Sequence, residues 1–188
     1  MAAALLLTGY NLWEERQAEQ SVSQVLEELD LTPAPVQETA DPLETVIPDY
    51  MLDPTMEMPT SEAEGKDYIG VVEMPALGLS LPVMSQWSYP NLKIAPCRYA
   101  GSAYQGDLVI MAHNYRSHFG GLKNLGIGDE VVFRDVDGNE FRYEVVELET
   151  LEKYAVEEMQ AGDWDLTLFT CTIGGQTRVT VRCVETTT

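Results

Sequence analysis

An all-β domain, a barrel or a sandwich with only short helices, is the fold class this sequence predicts, and three observations predict it. From residue 67 onward the chain divides into seven or eight short alternating segments within roughly 120 residues. Two of the divisions, Asp137-Gly138 and Gly174-Gly175, carry the residues that tight hairpin turns require. No stretch of this region sustains a helical period. Closure into a barrel would also remove exposed strand edges.

The elements follow in order. Residues 68–74 alternate as a first strand, and Leu77, Leu79, Leu81 and Val83 alternate as a second. Residues 85–92 hold a helical turn and residues 96–105 read as loop. The nearly continuous apolar run at 107–112 predicts a strand buried on both faces. His113 and Asn114 then open a loop, with a short helix expected over 119–125. Strands at 130–134 and 140–149 flank the Asp137-Gly138 turn. Residues 150–164 mix Leu151, Tyr154, Val156 and Met159 with acids, which suits a long loop containing a helical turn. Residues 165–184 form the closing hairpin.

That hairpin makes a specific geometric prediction. With Gly174 and Gly175 as a two-residue loop, Ile173 faces Gln176, Thr172 faces Thr177, and Cys171 faces Arg178. Opposed side chains share a face of the sheet, with Cβ atoms ~4.5–5.5 Å apart. Alternation puts Leu166, Leu168, Val179, Val181 and Cys183 on a core face. The other face carries Thr167, Phe169, Cys171, Arg178, Thr180 and Arg182. Thr170 then points into the core and has a structural role, its backbone near a reacting carbonyl being the alternative. A thiol beside a guanidinium is a candidate nucleophile, and an inert buried cysteine is the alternative reading.

The front of the chain is different in kind. The protein has 188 residues, 31 acids and 11 bases, for a net charge of −20. Between Glu14 and Asp67 lie 15 of those acids and only two bases, Arg16 and Lys66. Such acidity argues against nucleic-acid binding and suits a solvated, self-repelling spacer. Residues 2–7 are apolar but too few to span a bilayer, which takes ~20. With Tyr10 and Trp13 behind them, they read as the outer end of a truncated membrane anchor, a soluble apolar helix start being the alternative. Val22, Val25, Leu26 and Leu29 form a narrow stripe on a partly exposed stalk helix over 12–31, which Asp30 and Pro33 end. The organisation expected is therefore an anchor and stalk at 1–32, an acidic Pro-rich linker at 33–66, and the folded domain at 67–188. Tyr50, Met51, Leu52, Met56 and Met58 could dock part of the linker, although a plain tether is the preferred reading.

Cys97, Cys171 and Cys183 match no zinc spacing, and His113 and His118 do not share a helical face as a zinc pair would. Neither a metal nor any other cofactor is expected. A disulfide between Cys97 and Cys183 is not favoured, since nothing brings the two together. His113 sits where a buried strand emerges into a loop, a placement suited to a functional side chain. Of the two arginines on the Cys171 face, Arg182 lies four residues along the strand, roughly 13 Å away at ~3.4 Å per residue. Geometry therefore selects Arg178, and Arg182 reads as solvated.

At this point the motifs resemble a known family. Thr-Leu-Phe-Thr-Cys at 167–171 is similar to the cysteine motif of sortases, the cysteine transpeptidases of Gram-positive surfaces. Met111-Ala112-His113-Asn114 resembles the family's histidine turn, with alanine where glycine is more usual. Phe119-Gly120-Gly121-Leu122, Leu125 and Gly128-Asp129-Glu130-Val131 resemble the segment after it, and Arg178-Val179-Thr180-Val181 its arginine strand. Met74-Pro75, Leu77, Leu79 and Leu81-Pro82-Val83 resemble the first hairpin. The resemblance spans residues 68–184 and implies a closed sortase-like barrel of seven to eight strands. It implies Cys171 as nucleophile, His113 as general acid/base and Arg178 as oxyanion and substrate stabiliser. It further implies cleavage of a Leu-Pro-x-Thr-Gly-like sorting signal on secreted surface proteins, and transfer to an amine of a peptidoglycan precursor or a pilin lysine. Residues 150–164 resemble the loop that walls the substrate groove. The setting implied is the outer face of a cell membrane. Asp53-Pro54-Thr55 resembles, without the aromatic, the lid motif of pilin-building members. A hydrolytic cysteine peptidase and a non-catalytic extracellular β-module are the alternatives.

Overall fold

The computed structural model describes residues 2–29, 47–172 and 174–186. Among the described residues nine strands form one sheet: β1 (Ser61–Ala63), β2 (Lys66–Met74), β3 (Leu79–Met84), β4 (Cys97–Ala100), β5 (Leu108–Ala112), β6 (Glu130–Asp135), β7 (Glu140–Glu152), β8 (Leu166–Cys171) and β9 (Thr177–Glu185). Their order is β1-β2-β3-β4-β5-β8-β9-β7-β6, and β6 returns to pair with β2. That last pairing closes β2–β9 into a barrel, with β1 added beside β2, so the expected all-β closed fold is present.

Closure depends on a close backbone approach at Gly70. Its φ is +155°, and a Cβ there would lie 2.1 Å from the Arg134 carbonyl oxygen on β6. Only glycine lets β2 approach β6 this closely. The core inside the barrel takes Ile69, Val72, Leu81, Val83, Leu108, Ile110, Phe133, Leu166, Leu168 and Val181, all at most 2% exposed. Strand alternation thus sorts the closing hairpin as expected, with Leu166, Leu168, Val181 and Cys183 facing inward.

Among the described residues the α-helices are α1 (Ala2–Leu29), α2 (Asp49–Leu52), α3 (Tyr89–Leu92) and α4 (Val156–Gln160). Helix α1 begins well before the expected residue 12 and takes in the apolar run at 2–7. No helix among the described residues is long and apolar enough to cross a membrane. The stripe of α1 is docked rather than exposed: Ala18, Val22, Val25 and Leu29 are buried, and α1 packs against β1 and β3. Lys93 bridges to Glu14 at 2.8 Å, and the Arg116 amide donates to the Glu15 carboxylate at 2.8 Å.

Residues 30–46 of the expected linker, its helix stop at Asp30 and Pro33, and the side chains of residues 1–12 lie outside the described residues. The rest of the linker docks. Tyr50 stacks on Tyr104 with ring centroids 4.6 Å apart, an arrangement that adds ~0.5–1.5 kcal/mol beyond burial. Met58 is buried in the main core and Met56 packs against it. Asp53-Pro54-Thr55 forms a local turn in which the Thr55 amide and hydroxyl both donate to the Asp53 carboxylate.

One expectation fails for a local reason. Residues 97–100, read as loop, form β4, which pairs with Met84 of β3 and with β5. Four residues are too few to show an alternation, and cross-strand partners alone define the strand. In the closing hairpin the Gly175 amide donates to the Thr172 carbonyl at 2.8 Å, and Thr172 and Thr177 close the ladder as expected. The Ile173–Gln176 pair lies outside the described residues.

Candidate active site

Strand β8 lies between β5 and β9, and this single fact assembles the site. Cys171, the last residue of β8, pairs with Arg178 of β9 in antiparallel register. On the other side β8 runs parallel to β5, with Ala112 opposite Thr170. His113 is one residue beyond Ala112, and Cys171 one residue beyond Thr170. The two thus leave adjacent strands side by side, on strands ~4.8 Å apart. His113, Cys171 and Arg178 line one groove of about 360 Å³. All three are half-buried.

The strand ends are fixed in place. The Thr170 hydroxyl donates to the Ala112 carbonyl at 2.8 Å, tying β8 to β5 directly beneath the groove. Thr170 is 4% exposed, which fits its expected structural role. After His113 the chain folds tightly back, with the Phe119 amide donating to the His113 carbonyl at 3.1 Å. Gly120 permits this, because a Cβ there would come within 2.6 Å of the Asn114 carbonyl oxygen. The Arg178 guanidinium donates to the carbonyls of Gly175 and Thr177 at 3.2 and 3.1 Å, which holds it against its own turn.

Electrostatically, burial lowers the pKa of the His113 imidazole below its ordinary 6.5. Glu14 of α1 opposes that shift and Lys93 reinforces it. The ring packs on Tyr115 at 4.9 Å between centroids, and Tyr115 in turn packs on His118. The two remaining thiols are inert by contrast. Cys97 and Cys183 are fully buried, and burial pushes each up to about 12. All three cysteines are free, so no Cys97–Cys183 disulfide forms.

His118 has a separate consequence. It is 0% exposed, and burial, with the charge of His113 second, pushes its pKa down to about 4. Among the described residues neither ring nitrogen has a partner at hydrogen-bonding geometry, and the Ile94 backbone only partly opposes the shift. Between pH 4 and 6.5 the unfolded chain binds a proton at this position that the folded chain excludes. Stability therefore falls as pH drops through that window, by up to roughly 3 kcal/mol. Urea unfolding at pH 7 and pH 4.5 measures this. His118→Phe should flatten the loss, and an unaltered pH slope in that variant would refute the assignment.

Phe169 lines the groove beside Cys171, on the face expected for it, and with it come residues that sequence reasoning did not single out: Trp87, Tyr89 and Tyr99. Tyr99 meets Phe169 edge-on at 5.3 Å, and Trp87 lies 6.1 Å from Tyr99. Tyr99 belongs to β4, the strand missed as loop, so no pattern pointed to it. Glu152, Lys153, Ala155, Val156 and Met159, within the 150–164 segment expected to wall it, also line the groove. None of the described residues 47–60 lines the groove; Asp49 and Tyr50 of α2 and Met56 lie by Tyr104 and Asn139 instead.

Arg182 corrects an expectation. It is 2% exposed, not solvated, and its guanidinium meets Glu149 at 2.8 Å and Thr167 at 3.0 Å. Its distance from Cys171 is as expected, since it pairs with Thr167 on β8. Among the described residues no group of His, Cys, Asp and Glu could hold a metal ion.

A closed barrel presenting a histidine, a cysteine and an arginine from three adjacent strands defines a class, that of the sortase barrels. The family described as Sortase domain matches residues 72–186, and the chain belongs to this family. Its fold is similar to that of sortase A from Corynebacterium diphtheriae, at 19% identity and a TM-score of 0.60, covering 65% of this chain and 62% of that one. Sortase C1 from Streptococcus suis is similar at 26% identity and a TM-score of 0.55, covering 64% and 74%. A pilus-related sortase C of Group B Streptococcus gives 22%, 0.56, and coverage of 72% and 78%. The chain spans a little under two thirds of that sortase A, at 62%, and of a sortase C1 of GBS Pilus Island 1, at 65%. No curated protein matches its sequence.

Proposed function

We propose that this protein is a cysteine transpeptidase. It cleaves a Leu-Pro-x-Thr-Gly-like sorting signal and transfers the acyl group to an amine, on a cell-wall precursor or a pilin lysine. The observation that carries the reading is the juxtaposition at the ends of β5, β8 and β9: His113, Cys171 and Arg178 line one groove.

Each side chain has a task suited to its chemistry. The Cys171 thiolate attacks the scissile carbonyl, and sulfur is nucleophilic enough to do so without a metal. His113 gives a proton to the departing amine and later takes one from the incoming amine. Arg178 is permanently charged and supplies donors where negative charge develops on the carbonyl oxygen. The C–N bond of the signal breaks as the C–S bond of the thioacyl-enzyme forms. The acceptor amine then displaces sulfur, and Cys171 is regenerated. The aromatic side of the groove and the wall at 152–159 offer apolar surface to the signal's leucine and proline. We place the enzyme at the outer face of the cell membrane, tethered through its N-terminal segment.

The test is incubation with a panel of sorting-signal peptides, with and without an amine nucleophile, followed by mass spectrometry. A thioacyl adduct on Cys171 and an amine-dependent ligated product are expected. Hydrolysis indifferent to the amine would assign a peptidase instead, and absence of an adduct with every peptide would overturn the proposal.

A further inference from the structure

Arg182 is the arginine of β9 that acyl transfer leaves unused, yet it is among the most enclosed charged groups in the protein. Its side chain joins three elements. The Nε–H donates to the Glu149 carboxylate of β7 at 2.8 Å. One terminal nitrogen donates to the Thr167 hydroxyl of β8 at 3.0 Å and to the Met159 carbonyl at 2.8 Å. The other donates to the Glu158 carbonyl at 2.5 Å. The last two acceptors belong to α4, a helix of five residues.

A single helical turn cannot satisfy its own final carbonyls and is not stable alone. The guanidinium supplies the donors that a longer helix would supply. Only a planar, forked cation reaches all four acceptors at once, which a lysine ammonium could not. The same segment lines the groove: Ala155, Val156 and Met159 share it with Cys171. Met159 is 4% exposed, packed with Val109 and Phe169, and it also accepts a weak bond from the Thr180 hydroxyl. Arg182 therefore holds a helix whose residues form part of the groove lining.

We infer that Arg182 is a positioning residue for the substrate groove: it clamps α4 and thereby sets the capture of the signal peptide, while taking no part in acyl transfer. The inference rests on the proposed function for its substrate, but the clamp itself does not. The test compares the full-length wild type with Arg182→Met, Arg182→Lys and Glu149→Gln by amide hydrogen exchange, Cys171 alkylation and peptide kinetics.

In Arg182→Met, exchange across 155–162 should accelerate at least about tenfold while β8 and β9 keep their protection. KM for the signal peptide should rise about tenfold, with kcat within about threefold of wild type. Iodoacetamide should label Cys171 at the wild-type rate. Arg182→Lys should recover only part of the loss, and Glu149→Gln should shift the same quantities less far. Should Arg182→Met fail to fold, the lysine and glutamine variants carry the comparison. Unchanged exchange at 155–162, or a loss confined to kcat, would overturn the clamp. If the wild type forms no adduct with any peptide, the transpeptidase reading fails, and the exchange data still decide the clamp.

Discussion

Replacing Cys171 with alanine should abolish both the thioacyl adduct and the ligated product, while the protein remains folded. Cys171 is half-buried at a strand end rather than in the core, so losing its sulfur leaves no enclosed cavity. The rate loss expected is at least about 10⁴-fold, the scale seen when a covalent nucleophile is deleted and only binding and oxyanion contacts remain. A second measurement separates reactivity from turnover. Cys97 and Cys183 are 0% exposed, with thiols pushed up to about 12, so neither presents a thiolate near neutral pH. Iodoacetamide should add one label per wild-type chain and none to Cys171→Ala. A label retained in the variant would mean that one of the buried thiols is reached, and turnover retained in it would remove Cys171 from the chemistry.

The site was legible where its geometry follows from period-two alternation, and illegible where it depends on distant pairing. The Cys171–Arg178 register could be read because opposed residues in a hairpin are near in sequence. The ladder holds that register up to the Thr172–Thr177 bond next to the turn, so no side chain changes face. The placement of His113 against Cys171 is another matter. It needs β5 and β8 to be parallel neighbours across 50-odd residues, which no local pattern encodes. The resemblance to the family supplied that pairing; composition and periodicity did not.

Arg182 shows the converse failure. On sequence grounds a charged residue far from the site is solvated, because charge is costly to bury. The cost is offset here by Glu149 and by three uncharged oxygens, two of them carbonyls of a helix that could not be located to the residue in advance. The aromatic lining is a similar case. Trp87 and Tyr99 belong to segments with no period, and only the fold brings them to Phe169. In the acidic front of the chain, net charge hides pattern. The stripe Ala18, Val22, Val25 and Leu29 is enough to dock α1 on the barrel, and it brings Glu14 near His113.

That neighbourhood sets the terms for His113. Replacing it with alanine should lower acylation by an amide-linked signal peptide about 10²- to 10⁴-fold, the range that positioned proton transfer contributes. The loss should depend on the leaving group. An amine departs only when protonated, whereas a thiolate departs without a proton, so a thioester-linked signal peptide should acylate His113→Ala far closer to the wild-type rate. The ratio of amide to thioester rates also isolates the imidazolium, because both substrates need the same Cys171 thiolate. Burial lowers the His113 pKa below 6.5, so its protonated fraction is small at pH 7.5 and is still growing as pH falls through 6.5. In the wild type the ratio should rise as pH falls across this interval. In His113→Ala it should be flat. A ratio independent of pH in the wild type would show that another group delivers the proton. Equal losses on both substrates would instead make His113 a partner of the thiolate rather than the acid for the leaving amine.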